Sequence, residues 1–148
     1  MTTKRYLKQI IRLDRSIKYR KEQLAELKEL STSIGSLDYS KDIVDTTPTG
    51  DGLANKIIKI ADLEAEITRK MILYTAKKNQ IIEEIESLED TNYADILMKK
   101  YVEDKSLEEV AVEMGYSYDR VRHMHGLALV EFEKIRKDKE DARNEDIH

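Results

Sequence analysis

Two segments of this chain repeat their apolar residues in alternating steps of four and three, and that spacing leaves few ways to fold. In residues 3–30 the apolar positions are Tyr6, Ile10, Leu13, Ile17, Leu24 and Leu27, broken only at Arg20. In residues 53–88 they are Leu53, Ile57, Ile60, Ile67, Met71, Tyr74, Ile81, Ile85 and Leu88, broken at Glu64 and Lys78. An apolar period near 3.5 specifies a helix with one buried seam. Residues 31–52 between the segments are rich in Ser, Thr, Asp and Gly and end in Thr46-Thr47-Pro48-Thr49-Gly50-Asp51-Gly52. Proline cannot continue a helix and glycine permits tight turns, so this stretch reads as a long connecting loop. Gly50-x-Gly52 is too short for a phosphate-binding loop and follows no strand.

Folding the two helices back on each other gives an antiparallel coiled-coil hairpin over residues 1–90. Facing residues then have position numbers of constant sum. A sum of 84 pairs Leu27 with Ile57, Leu24 with Ile60, Ile17 with Ile67 and Leu13 with Met71, and sets Arg20 against Glu64. Heptads alone allow registers shifted by seven, so the charge match selects this one. Such a pair specifies register more than it adds stability. Ile81, Ile85 and Leu88 then run past the start of the first helix and must bury against the C-terminal part or another subunit. Ile11, Ile58, Ile72 and Ile82 lie off the seam, which points to self-association, a dimer being the simplest closed form.

Composition fits an elongated helical chain. Aromatics make up 6% and charged residues 38%, too few large side chains for a broad core. There is no cysteine, so disulfides, thiol catalysis and cysteine-bound zinc are excluded. No apolar run approaches the roughly 18 residues of a membrane span, and no signal-peptide pattern opens the chain. The expectation is a cytoplasmic protein with no membrane partner. Net charge is −4, so any nucleic-acid contact must be local. The basic first segment, with Lys4, Arg5, Lys8, Arg12, Arg15 and Lys18, is either a solvated helix face or a source of phosphate contacts.

After residue 90 the period changes. Tyr93–Val102 reads as a short helix, broken at Glu103-Asp104-Lys105. Ser106 stands three residues before Glu109, a capping-box spacing that starts a helix over about 107–114. Gly115 suits the left-handed residue that ends it, and Ser117 caps a last helix from Tyr118 to about Arg136. Two helices joined by a short glycine-containing turn form a helix-turn-helix pattern over residues 91–137. Val121, Met124, Ala128 and Phe132 share the inner face of the last helix. Tyr118, Asp119, Arg122, His123 and Gly126 are left outward near its start, where a recognition helix meets base edges. Arg122 suits guanine, His123 and Tyr118 donate or accept hydrogen bonds, and Arg120 and Ser117 suit phosphates. Residues 138–148 are nearly all polar and read as a disordered tail.

Ser106-Leu107-Glu108-Glu109-Val110-Ala111, Met114-Gly115-Tyr116-Ser117, Arg120-Val121-Arg122-His123-Met124 and Ala128-Leu129 resemble region 4 of sigma-70 factors. The order of parts, with a helical hairpin, a loop bearing Pro48-Thr49-Gly50-Asp51 and a terminal sigma-like module, resembles phage-encoded late transcriptional regulators of the ArpU/RinA-like group. The resemblance implies an all-α activator of phage late or packaging genes, working in the bacterial host cell. Its implied partners are double-stranded promoter DNA and host RNA polymerase. No counterpart of sigma region 2 is present. A packaging protein of the small-terminase kind also joins such a module to helical oligomerisation but usually carries it first, and a protein-interaction adaptor is a third reading. No enzyme, cofactor or metal site is expected. His123 and His125 are two apart and diverge, and the carboxylates lack a companion to build a catalytic site around.

Overall fold

A computed structural model describes residues 1–37 and 49–147, with side chains up to residue 31 and from residue 52. These residues are all-helical. The elements are α1 (Thr3–Leu7), α2 (Gln9–Leu37), α3 (Thr49–Glu86), α4 (Thr91–Leu97), a π-helical segment (Met98–Val102), α5 (Leu107–Met114) and α6 (Tyr118–Ile147). None of the described helices is long and apolar enough to cross a membrane. Three boundaries differ from the sequence reading. The first segment breaks at Lys8, after a turn capped by the Thr2 hydroxyl on the Arg5 amide. The expected loop 31–52 is helical at both ends, because Ser31 returns its hydroxyl to the Leu27 carbonyl and so fits a helix; the rest of the loop, 38–48, lies outside the described residues. The tail expected to be disordered continues α6 to Ile147, since Lys, Glu, Arg and Ala carry helix propensity without a core.

The contacts divide the chain into two compact units, Leu13–Leu73 and Met1–Arg12 with Tyr74–His148. The division expected near residue 90 therefore falls elsewhere, because the first residues and the end of α3 pack with the C-terminal helices.

In the Leu13–Leu73 unit, Ile17, Leu63 and Ile67 are buried, flanked by half-buried Leu13, Leu24, Leu27 and Ile60. Lys70 Nζ donates to Ser16 Oγ at 2.9 Å, Arg20 pairs with Glu66 at 3.2 Å and Lys28 with Glu64 at 3.0 Å. Rising numbers on α2 thus meet falling numbers on α3. The expected Arg20–Glu64 pair is not formed. Arg20 takes Glu66, Glu64 takes Lys28, and both pairs are partly exposed rather than buried. The cause is a rotated face: Leu63 is buried, whereas Leu53, Ile57 and Met71 are exposed. Lys56 and Lys70 are half-buried on the inward side of α3, where a long side chain buries its stem and keeps its ammonium wet. A pattern that scores only apolar residues passes over them.

In the other unit, Tyr6, Leu7, Ile10, Ile81, Ile85, Leu88, Leu97, Tyr101, Ala128 and Phe132 form one core. Ile81, Ile85 and Leu88 thus bury against the C-terminal helices, and against Tyr6, Leu7 and Ile10 rather than beyond them. Glu84 is 2% exposed and accepts a 2.5 Å hydrogen bond from the Tyr6 hydroxyl. Burial first, then the bond to Glu84, holds the Tyr6 phenol well above its usual pKa, so it stays a donor. The Tyr6 ring lies 6.0 Å from that of Phe132, and the Arg136 guanidinium sits 3.9 Å above it. Tyr6→Phe keeps the ring and strands the carboxylate. Urea denaturation is expected to show a loss of about 1–3 kcal/mol, the cost of an unsatisfied buried polar group.

Candidate nucleic-acid interface

The start of α6 is set by its neighbours. The Ser106 side chain accepts from the Glu109 amide at 3.2 Å and starts α5. At the other end Gly115 adopts φ 71°, the Gly115 amide returns to the Val112 carbonyl at 3.3 Å and the Tyr116 amide to that of Ala111 at 3.1 Å. That pair of bonds is a Schellman motif, and it needs a residue tolerant of positive φ. Ser117 then accepts from the Arg120 amide at 3.2 Å and opens α6. Both caps and the glycine stop stand where the sequence places them.

Ile96 of α4, Val110 and Ala111 of α5, and Val121 of α6 are buried together, with Leu107, Met114, Tyr116 and Met124 packed around them. This cluster fixes the rotation of α6. Val121, Ala128 and Phe132 face inward and Met124 is half-buried. Ser117, Tyr118, Asp119, Arg120, Arg122, His123 and Gly126 are all exposed. Arg120 is stacked 4.0 Å above the Tyr116 ring, which orders its guanidinium at the edge of the face. The structure therefore brings the seven sequence-derived positions onto one accessible end of a helix.

Two acids nearby, Glu103 and Glu113, are engaged by lysines. Glu113 accepts from Lys105 at 2.6 Å and from Lys99 at 3.1 Å, and Lys105 also pairs with Glu103 at 3.2 Å. The hydrogen bond from Lys105 holds the Glu113 carboxyl below its usual pKa, and the reciprocal bond raises that of the Lys105 ammonium. This surface network ties the π-helical segment to α5 and leaves the exposed Arg120 and Arg122 as the cations at the start of α6. Behind that segment, Asp104 takes a left-handed φ of 57°, which Asp tolerates better than most residues.

One polar pair escaped the sequence reading. His125 is 6% exposed, with Nε2 2.8 Å from the Tyr101 hydroxyl and the two rings stacked at 5.7 Å. A signal for it exists, since 121, 125, 128 and 132 share one helical stripe, but apolar periodicity passes over a histidine. Burial, then the charges of Lys100 and Lys4, pushes the His125 imidazole down to about 4, and burial raises the Tyr101 phenol to about 12. Both groups are neutral at pH 7, and the phenol is placed to donate to Nε2. Gly126, like Gly115, has nothing within 4 Å of where a Cβ would stand, and unlike Gly115 it lacks a positive φ.

The chain matches no protein-family model, and no curated protein or solved structure is similar enough to mark a relative.

Two outcomes follow from this geometry. With a folded pKa below the ordinary value of 6.5, His125 binds its proton more readily in the unfolded chain. Stability is then fully present above about pH 6.5 and falls as pH drops toward 4, by up to ~3 kcal/mol. Urea midpoints across that window should show the slope, and His125→Gln, which cannot titrate, should flatten it. Gly126→Ala should raise stability by about 1 kcal/mol, read from the same curves, because helix propensity improves with no clash.

Proposed function

We propose that this chain is a sequence-specific DNA-binding transcriptional regulator whose reading element is the start of α6. In this reading α5 and α6 are the two helices of a helix-turn-helix module, and the helices before them form a coiled-coil scaffold for self-association. The carrying observation is the exposed end of α6, where Tyr118, Asp119, Arg122 and His123 stand clear of the Ile96–Val110–Val121 cluster that orients them. A major groove admits such an end, and its base edges suit these side chains: Arg122 for guanine, Asp119 for the cytosine amino group, and His123 or Tyr118 for either role. Arg120 and the Ser117 cap flank them and suit phosphates. The resemblance to sigma-70 region 4, and to phage late regulators of the ArpU/RinA-like group, supports an activator of phage late or packaging genes. It would act in the bacterial cytoplasm on double-stranded promoter DNA, engage host RNA polymerase, and do no catalysis of its own.

The test is binding of the full chain to tiled fragments of the genome that encodes it, at two salt concentrations. A preferred fragment upstream of a late or packaging operon is expected. Arg122→Ala should cost about 1–3 kcal/mol there and erase the preference, whereas Arg120→Ala should weaken all fragments alike and lower the salt slope by about one ion. Equal binding to every fragment by wild type and Arg122→Ala would sink the regulator reading and leave an assembly or adaptor role.

A further inference from the structure

The least explained surface of the Leu13–Leu73 unit lies on α3. At 100° per residue, Leu53, Ile57, Ile58, Ala61, Ala65 and Ile72 fall within an arc of about 140° that does not face α2. Glu64 is the one charge in that arc between residues 53 and 72, in a chain that is 38% charged. Leu53 is 54% exposed, Ile57 59%, Ile58 56% and Ile72 67%. Together these four leave roughly 400 Å² of apolar side chain open, within the range where a monomer's largest patch is often an interaction site. At 1.5 Å per residue the stripe is about 28 Å long, enough with its borders to supply the ~800 Å² per partner of a standard interface.

We propose that this face of α3 pairs with the same face of a second copy, antiparallel, about a two-fold axis near residues 65–68. The stripe is complementary to itself in that direction. Its large side chains, Ile57 and Ile58 at one end and Ile72 at the other, flank a middle of Ala61, Ala65 and Thr68. Reversed on itself, it sets bulky residues against small ones, Ile72 of one copy over Ala61 of the other, and lets the helices approach closely in the middle. The bordering charges choose the direction. Asp62 and Arg69 sit seven residues apart on one border, both exposed and neither in an ion pair among the described residues. Antiparallel pairing brings Asp62 to Arg69 of the second copy, and the symmetry makes the bond twice. Parallel pairing would instead need Glu64 for Arg69, and Glu64 is held by Lys28 of its own chain at 3.0 Å. The chain's own segment 38–48 is a poor cover by composition, since Tyr39, Ile43 and Val44 are interspersed with Asp38, Asp42 and Asp45. This inference stands apart from the DNA-binding reading and can fail without it.

Sedimentation equilibrium of the full chain tests it. A dimer with a Kd in the micromolar range or tighter, on the order of 10⁻⁶ M, is expected for the wild type. Ile58→Glu and Ile72→Glu, both at exposed positions of one copy, should keep the helical circular dichroism. Each should weaken the dimer at least ~100-fold by burying an unpaired carboxylate. Asp62→Arg alone should weaken it about tenfold, and adding Arg69→Asp to the same chain should restore it. A wild type that stays monomeric or forms larger rings overturns the proposal, as does a dimer indifferent to both glutamates. A dimer sensitive to the glutamates but not rescued by the double exchange overturns the antiparallel direction.

Discussion

A single phenol joins three elements of the C-terminal unit. Tyr6 reaches Glu84 of α3 with its hydroxyl, while its ring meets Phe132 and Arg136 of α6. The chain there has no large globular core, so a residue that serves several interfaces at once carries more than its area. A hydrogen bond into a carboxylate 2% exposed is also demanding. It can be satisfied only when the first turn of the chain, the end of α3 and the middle of α6 have come together, which couples their folding. With α6 held there at Phe132, its other end is oriented by the Ile96–Val110–Val121 cluster, and the two anchors together determine which residues face out.

The parts that were legible in the sequence are those decided locally. Ser106, Gly115 and Ser117 act within a few residues of themselves, so capping chemistry alone located the turn between α5 and α6. The exposed set at the start of α6 followed from one short apolar stripe. The α2–α3 register was not legible, because it depends on long polar side chains. Lys56 and Lys70 take half-buried positions that an apolar pattern assigns to Ile57 and Met71, and a shift of one position rotates the face by about 100°. The same blindness hid His125 and Glu84, polar residues buried by partners 24 and 78 positions away. Neither Tyr101 nor Tyr6 announces such a partnership in sequence.

The rotation of α3 has a consequence for the surface. Turning Leu63 inward turns Leu53 and Ile57 outward, where they join Ile58 and Ile72 in one apolar stripe instead of lying in the seam. The heptad positions were therefore apolar for more than one reason, and a single-seam reading assigns all of them to the same partner. Two faces on one helix are separable only when something shows which residues each one buries, as Ile17, Leu63 and Ile67 do here.

Electrostatics links that surface to the proposed activity. A regulator with net charge −4 would have to bind DNA through a few local cations, and the start of α6 offers Arg120 and Arg122, with Asp119 just before them in sequence. So few cations, of which only Arg120 is assigned to a phosphate, would release few counterions, and one copy would bind weakly and with a shallow salt dependence. Pairing two copies doubles the cations without changing either module, and linkage makes the second contact intramolecular once the first has formed. A two-fold pair of such modules would favour an inverted repeat in the DNA. On the proposed reading, an acidic regulator of this design would have its specificity in a few side chains of α6 and would draw its affinity from self-association.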